Sequence, residues 1–154
     1  MSRQRFEPGA ILRIDVEGPR HAYARMLSDH PYVAVYDELT EAELSPAEVV
    51  KRPVQFVVGV FDGAYKTGRW PKVGVVPPDA APVAIPEFFR QDMFNPDDCT
   101  IVDHLGNTRP ATPAECAGLE RDAVWDADHV VQRLLDHDAN RPNAFLEHLK
   151  LKAV

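Results

Sequence analysis

The chain has 154 residues, about the size of one ordinary domain, and we expect a single domain over residues 1–154. Its 24 acidic residues outnumber its 17 basic ones and give a net charge of −7, which argues against nucleic acid as a partner because phosphates require a basic surface. No apolar run approaches the roughly 18 residues of a membrane helix, and none follows the basic N-terminus as in a secretory signal. Two cysteines are too few for a disulfide framework. We therefore expect a cytoplasmic protein that contacts no membrane.

The first half of the chain has the pattern of β-strands. Residues 12–16 alternate apolar and charged side chains, and a Gly-Pro turn leads into a second alternating run over residues 21–27. Residues 32–36 predict a third strand, and residues 54–60, the most apolar stretch, predict a central one. Between them, Ser-Pro-Ala-Glu at residues 45–48 is typical of a capped short helix.

The middle of the chain has a weaker pattern. We expect a turn over residues 63–68, a short strand over residues 73–76 and a proline-rich loop over residues 79–86. Another short strand is predicted over residues 100–102.

The last third of the chain turns helical. A second capped turn spans residues 112–118, and a longer helix is predicted from Asp126 to about residue 137. At 100° per residue, Val130 and Leu134 fall on its apolar face, and Asp136 falls on the opposite, polar face. Strands first and helices later, without regular alternation, indicate an α+β domain. The preferred form is a small, strongly bent, mostly antiparallel sheet or partial barrel, covered by this C-terminal helix.

The histidines and cysteines do not predict a metal site, a cofactor or a catalytic set. His129 and His137 share a helix face, but they are about 12 Å apart along the axis, too far to bind one ion. Cys116, near a helix start, is a possible nucleophile or a small buried residue of the capped turn, and the absence of a flanking signature favours the buried residue.

Two groups of acidic residues fall in predicted loops and are the candidate partner-binding residues. An acidic surface attracts a basic protein, although ordinary solvated loops have the same composition. The first group follows the third strand and the second lies in a later loop. The candidates are Glu38, Glu41, Glu43, Asp92, Asp97 and Asp98.

Four large rings form a second candidate site. They belong either to the core or to the groove of a ligand-binding module without catalysis. These rings are Trp70, Phe88, Phe89 and Trp125.

A series of short sequence motifs points to a known family. They stand at residues 9–14, 23–25, 35–37, 67–71, 86–92 and 110–125, and separate matches follow at residues 130, 133–134, 136–137 and 141–143. Their order, from about Phe6 to Leu151, resembles the immunity 26 family of bacterial polymorphic toxin systems.

The resemblance implies a protein that binds and neutralises a cognate toxin, which we expect to be basic, by occluding its active site or an adjoining surface. Members of the family are also labelled as phosphotriesterases of the HocA type. The alternative is therefore a small hydrolase acting on phosphotriesters, with metal ligands from distant segments such as His21, His104 and His137. The resemblance supplies no catalytic residues, and we expect a binding protein rather than an enzyme.

Overall fold

A computed structural model describes residues 3–153 of the chain. The strands are β1 (Ala10–Glu17), β2 (Arg20–Met26), β3 (Tyr32–Tyr36), β4 (Val54–Val60), β5 (Lys72–Val75), β6 (Phe88–Gln91), β7 (Cys99–Val102), β8 (Thr108–Ala111), β9 (Glu120–Arg121) and β10 (Val124–Trp125). The helices are α1 (Pro46–Val49), α2 (Gly63–Lys66), α3 (Pro113–Cys116), α4 (Ala127–Asp138) and α5 (Ala144–Leu149). Two sheets and several helices confirm the α+β class.

The chain divides into two compact units. The first contains the described residues up to 84 together with residues 124–143, and the second contains residues 85–123 and the described residues from 144 onward. The single domain predicted from chain length stays a prediction.

The first unit contains an open six-stranded sheet in the order β10-β4-β3-β2-β1-β5. All pairs are antiparallel except β10 with β4, so the sheet is mostly antiparallel, as predicted, and it is not closed into a barrel. The β1–β2 hairpin turns at Gly18, whose φ of 56° lies in the left-handed region that glycine adopts without a steric penalty. Strands β1 to β4 of this sheet confirm the four strands predicted in the first half of the chain.

Helix α4 packs on this sheet through the apolar face that its periodicity predicts. Val130 and Leu134 are fully buried. The guanidinium group of Arg133 lies 3.9 Å from the centroid of the Phe56 ring and 5.0 Å from that of Trp125, so a cation–π contact joins the helix to β4 and β10.

The placement of Asp136 on the polar face of α4 was wrong. Its side chain is only 8% exposed. Asn143 Nδ2 donates to Asp136 Oδ2 at 2.9 Å, and Arg141 and Gln132 donate to Oδ1. The segment after the helix folds back over the carboxylate, a contact that helical periodicity cannot reveal.

Arg25 is a buried cation within β2. It is 1% exposed, and its guanidinium group donates hydrogen bonds to the backbone carbonyls of Val76, Pro77, Ala80 and Ala81, at distances from 2.5 to 3.0 Å. Carbonyl oxygens therefore solvate this charge. The same bonds fasten the proline-rich segment after β5 to the sheet.

Helix α1 is fixed by its cap and by a close contact with β5. Ser45 and Glu48 form the predicted capping box. The ring of Pro46 lies directly over Gly74, and a Cβ atom at position 74 would collide with Pro46 Cγ. Glycine is thus required where α1 crosses the strand.

The second unit contains a four-stranded sheet in the order β8-β7-β6-β9. Phe88 and Phe89 lie within β6, which we had not predicted as a strand. The buried residues Phe89, Cys99, Ile101 and Cys116 form the core of this unit.

Other short elements differ from the predictions. Residues 63–68, predicted as a turn, include the helical turn α2. Strands β8, β9 and β10 had no recognisable pattern, because β9 and β10 have two residues each and β8 contains a proline. Within residues 3–153, no helix is long and apolar enough to cross a membrane.

Candidate functional site

The first group of candidate acidic residues lies between β3 and α1 in the first unit. Glu38, Glu41 and Glu43 are all exposed. Glu43 Oε1 lies 3.5 Å from Arg13 Nη1, and the Glu38 carbonyl accepts a hydrogen bond from Arg52 at 2.9 Å. Each contact is solvent-exposed, and such exposed pairs contribute little to stability.

The second group belongs to the loop between β6 and β7, which we call the 92–98 loop. Asp92, Asp97 and Asp98 are exposed. Asp92 Oδ1 accepts hydrogen bonds from the backbone N–H groups of Phe94 and Asn95, both at 2.8 Å. The Asp98 N–H group donates to the Asn95 carbonyl, and the Asp92 N–H group donates to the Asp98 carbonyl, both at 2.9 Å. The loop therefore has a defined path.

Two apolar side chains protrude from the 92–98 loop. Met93 is 86% exposed and Phe94 is 91% exposed. Neither residue was a candidate from the sequence. The available signal was their position between Asp92 and the Asn95-Pro96 pair, because these turn-forming residues place the intervening apolar side chains in a loop.

A polar network supports the base of this loop. Gln91 Nε2 donates to the carbonyls of Pro96 at 2.9 Å and Lys152 at 3.0 Å. Gln91 Oε1 accepts from the Lys152 N–H group at 2.8 Å and from Arg121 Nη2 at 3.2 Å. Arg121 Nε also donates to the Leu149 carbonyl at 2.9 Å. The loop, β9 and the segment after α5 are thereby joined within the second unit.

The four candidate rings lie in the cores of the two units. Trp70 and Trp125 are each 1% exposed in the first unit, and Phe88 and Phe89 are 3% and 1% exposed in the second. Their burial leaves the predicted groove without an exposed ring. Ring size and position did not separate a core residue from a groove residue, because aromatic side chains occupy both environments.

The second unit also has an open, mostly apolar hollow of about 440 Å³. Its lining includes Phe89, Cys116, Leu146, Leu149 and Leu151. Burial raises the pKa of the Cys116 thiol, and the neighbouring Cys99 raises it further. Cys116 is 1% exposed and ends the capped turn α3, which is the buried position that we favoured.

The histidines do not converge on a metal site within the described residues. His21 is buried, and its Nε2 atom lies 3.1 Å from the Tyr23 hydroxyl oxygen and 2.9 Å from the Ala42 carbonyl oxygen. Over residues 3–153, no three His, Cys, Asp or Glu side chains are grouped closely enough to hold a metal ion. His21, His104 and His137, which the hydrolase alternative would use as ligands, therefore belong to no such group within these residues.

The fold and surface define an acidic α+β protein with a structured, protruding loop. The family model described as Immunity protein 26 matches residues 7–100, more than half of the chain. The chain therefore belongs to the immunity protein 26 family, as its sequence motifs predicted. The motif at residues 110–125 and the matches that follow it lie beyond the matched range. No curated protein and no solved structure matches the chain.

Proposed function

We propose that this protein binds a cognate toxin protein and neutralises it, by covering the toxin's active site or a surface next to it. Membership of the immunity protein 26 family carries the proposal. The toxin belongs to a bacterial polymorphic toxin system, and the protein acts as a single domain in the cytoplasm.

The charge of the chain supports a basic partner. The net charge is −7, and both acidic groups, Glu38 to Glu43 and Asp92 to Asp98, lie on exposed loops. Complementary charge accelerates the encounter of two proteins and disfavours wrong partners. We propose that one or both groups face the toxin.

Growth rescue tests the proposal directly. A toxin gene found beside the gene for this protein is expressed from an inducible promoter, with and without this chain. Growth should stop with the toxin alone and continue when the chain is present. A polymorphic toxin paired with an unrelated immunity protein is the control, and the chain should not rescue cells from it. Growth arrest despite soluble, folded chain would overturn the proposal.

Inhibition of the purified toxin tests the covering of its active site. Addition of an equimolar amount of the chain should abolish the toxin's catalytic activity, because a standard interface of about 800 Å² per partner is large enough to cover an active site. Full activity within a stable complex would show that the chain acts by another route.

A further inference from the structure

Met93 and Phe94 form an exposed apolar pair at the tip of the 92–98 loop. Single exposed apolar residues are ordinary on protein surfaces. Here two large neighbouring side chains are 86% and 91% exposed. Methionine and aromatic residues are enriched at protein interfaces, where buried aromatic side chains supply much of the binding free energy.

The loop holds this pair in place before any partner arrives. Asp92 fixes the backbone of Phe94 and Asn95, and Gln91 holds the Pro96 carbonyl. Hydrogen bonds of this kind reduce the conformational entropy that a loop loses when it binds. A flexible tip would lack this advantage.

The negative charges of the 92–98 loop favour a partner with a basic surface. Asp92, Asp97 and Asp98 lie within four residues of Phe94, and no Lys or Arg occurs between Gln91 and Cys99. A partner that buries Phe94 must therefore accommodate a loop whose charged side chains are all carboxylates. Lysine or arginine side chains around an apolar pocket meet that requirement, whereas an acidic or uniformly apolar surface does not.

We propose that the 92–98 loop is the main docking element of this protein, with Phe94 and Met93 entering an apolar pocket of the toxin that is rimmed by Lys or Arg. The inference rests on the proposed immunity function and assigns a surface to it. The first acidic group, at Glu38 to Glu43, has a lesser role in binding.

Binding kinetics of the purified chain with the toxin used in the growth-rescue test show whether the 92–98 loop is the docking element. Phe94→Ala should weaken affinity by about 30-fold or more, mainly through faster dissociation, as loss of a hot-spot residue does. The double variant Asp97→Asn/Asp98→Asn should slow association several-fold and weaken its dependence on salt.

Leu105→Ala is the matched control, because Leu105 is 70% exposed in the β7–β8 turn, at the other end of β7 from the 92–98 loop. It should bind as the unchanged chain does. Thermal unfolding of each variant should match that of the unchanged chain, since the altered side chains are exposed.

The outcomes separate the two proposals. If the unchanged chain binds the toxin and Phe94→Ala binds equally well, the docking assignment is wrong and the immunity function stands. If the unchanged chain does not bind the toxin, both fail. If Phe94→Ala only converts a dimer of this chain to a monomer in sedimentation, with toxin affinity unchanged, the pair serves self-association and the assignment is overturned.

Discussion

Asp136 is a carboxylate that the fold buries and then fully surrounds with donors. Burial acts to raise its pKa, but hydrogen bonds from Gln132, Asn143 and Arg141 outweigh that effect, and the pKa lies below its ordinary value of 3.8. The stabilisation that these bonds provide to the folded state is present above that value. It is lost as the pH falls through the folded-state pKa, because the unfolded chain then binds the proton more readily.

Asp136→Asn tests this residue-scale account. The variant should be less stable by about 2 kcal/mol near pH 7, since hydrogen bonds to a charged group are lost. The difference from the unchanged chain should shrink as the pH is lowered below about 4. Urea unfolding over this range measures it, with Asp97→Asn, which alters an exposed carboxylate, as the control. A difference that is constant with pH would contradict the account.

The crossing of α1 over β5 depends on one missing side chain. Pro46 occupies the space that a Cβ atom at Gly74 would need. The proline ring is rigid, and the capping box of Ser45 and Glu48 fixes the helix from which it projects. Neither side of this contact moves easily.

Gly74→Ala should therefore destabilise the protein by about 1–3 kcal/mol, the usual cost of overpacking. Gly63→Ala is the matched control, because a Cβ atom there meets nothing within 4 Å and alanine favours the helix α2. Denaturant unfolding of the two variants measures the contrast. Equal stability would show that α1 shifts freely on the strand.

At the scale of elements, the sequence predicted those strands and helices whose own residues carry a recognisable pattern. Strands β1 to β4 were predictable because each has its own alternation, and α1 and α3 because each has its own cap. Strands β9 and β10 were not, since each exists only through pairing with a distant strand.

The candidate site was predictable only in part, for a related reason. The sequence identified Asp92, Asp97 and Asp98 as loop residues, and all three are exposed. It left a groove of four rings open as a possibility, although all four are buried, and it overlooked Phe94. An aromatic side chain carries no local mark of whether the fold covers it.

At the scale of the whole molecule, the net negative charge raises the rate of association with a basic partner. With a net charge of −7, the association rate constant with the toxin should fall about tenfold or more between low and high salt, while the dissociation rate constant changes little. Stopped-flow mixing at several salt concentrations measures both constants. A salt-independent association rate would show that the partner is not basic.

Arg25 has a consequence for how the segment from Val76 to Ala81 tolerates change. The four bonded acceptors are main-chain oxygens. Replacing side chains at residues 76–81 removes none of these acceptors, so the outer surface of the segment is free to diverge while its path stays the same.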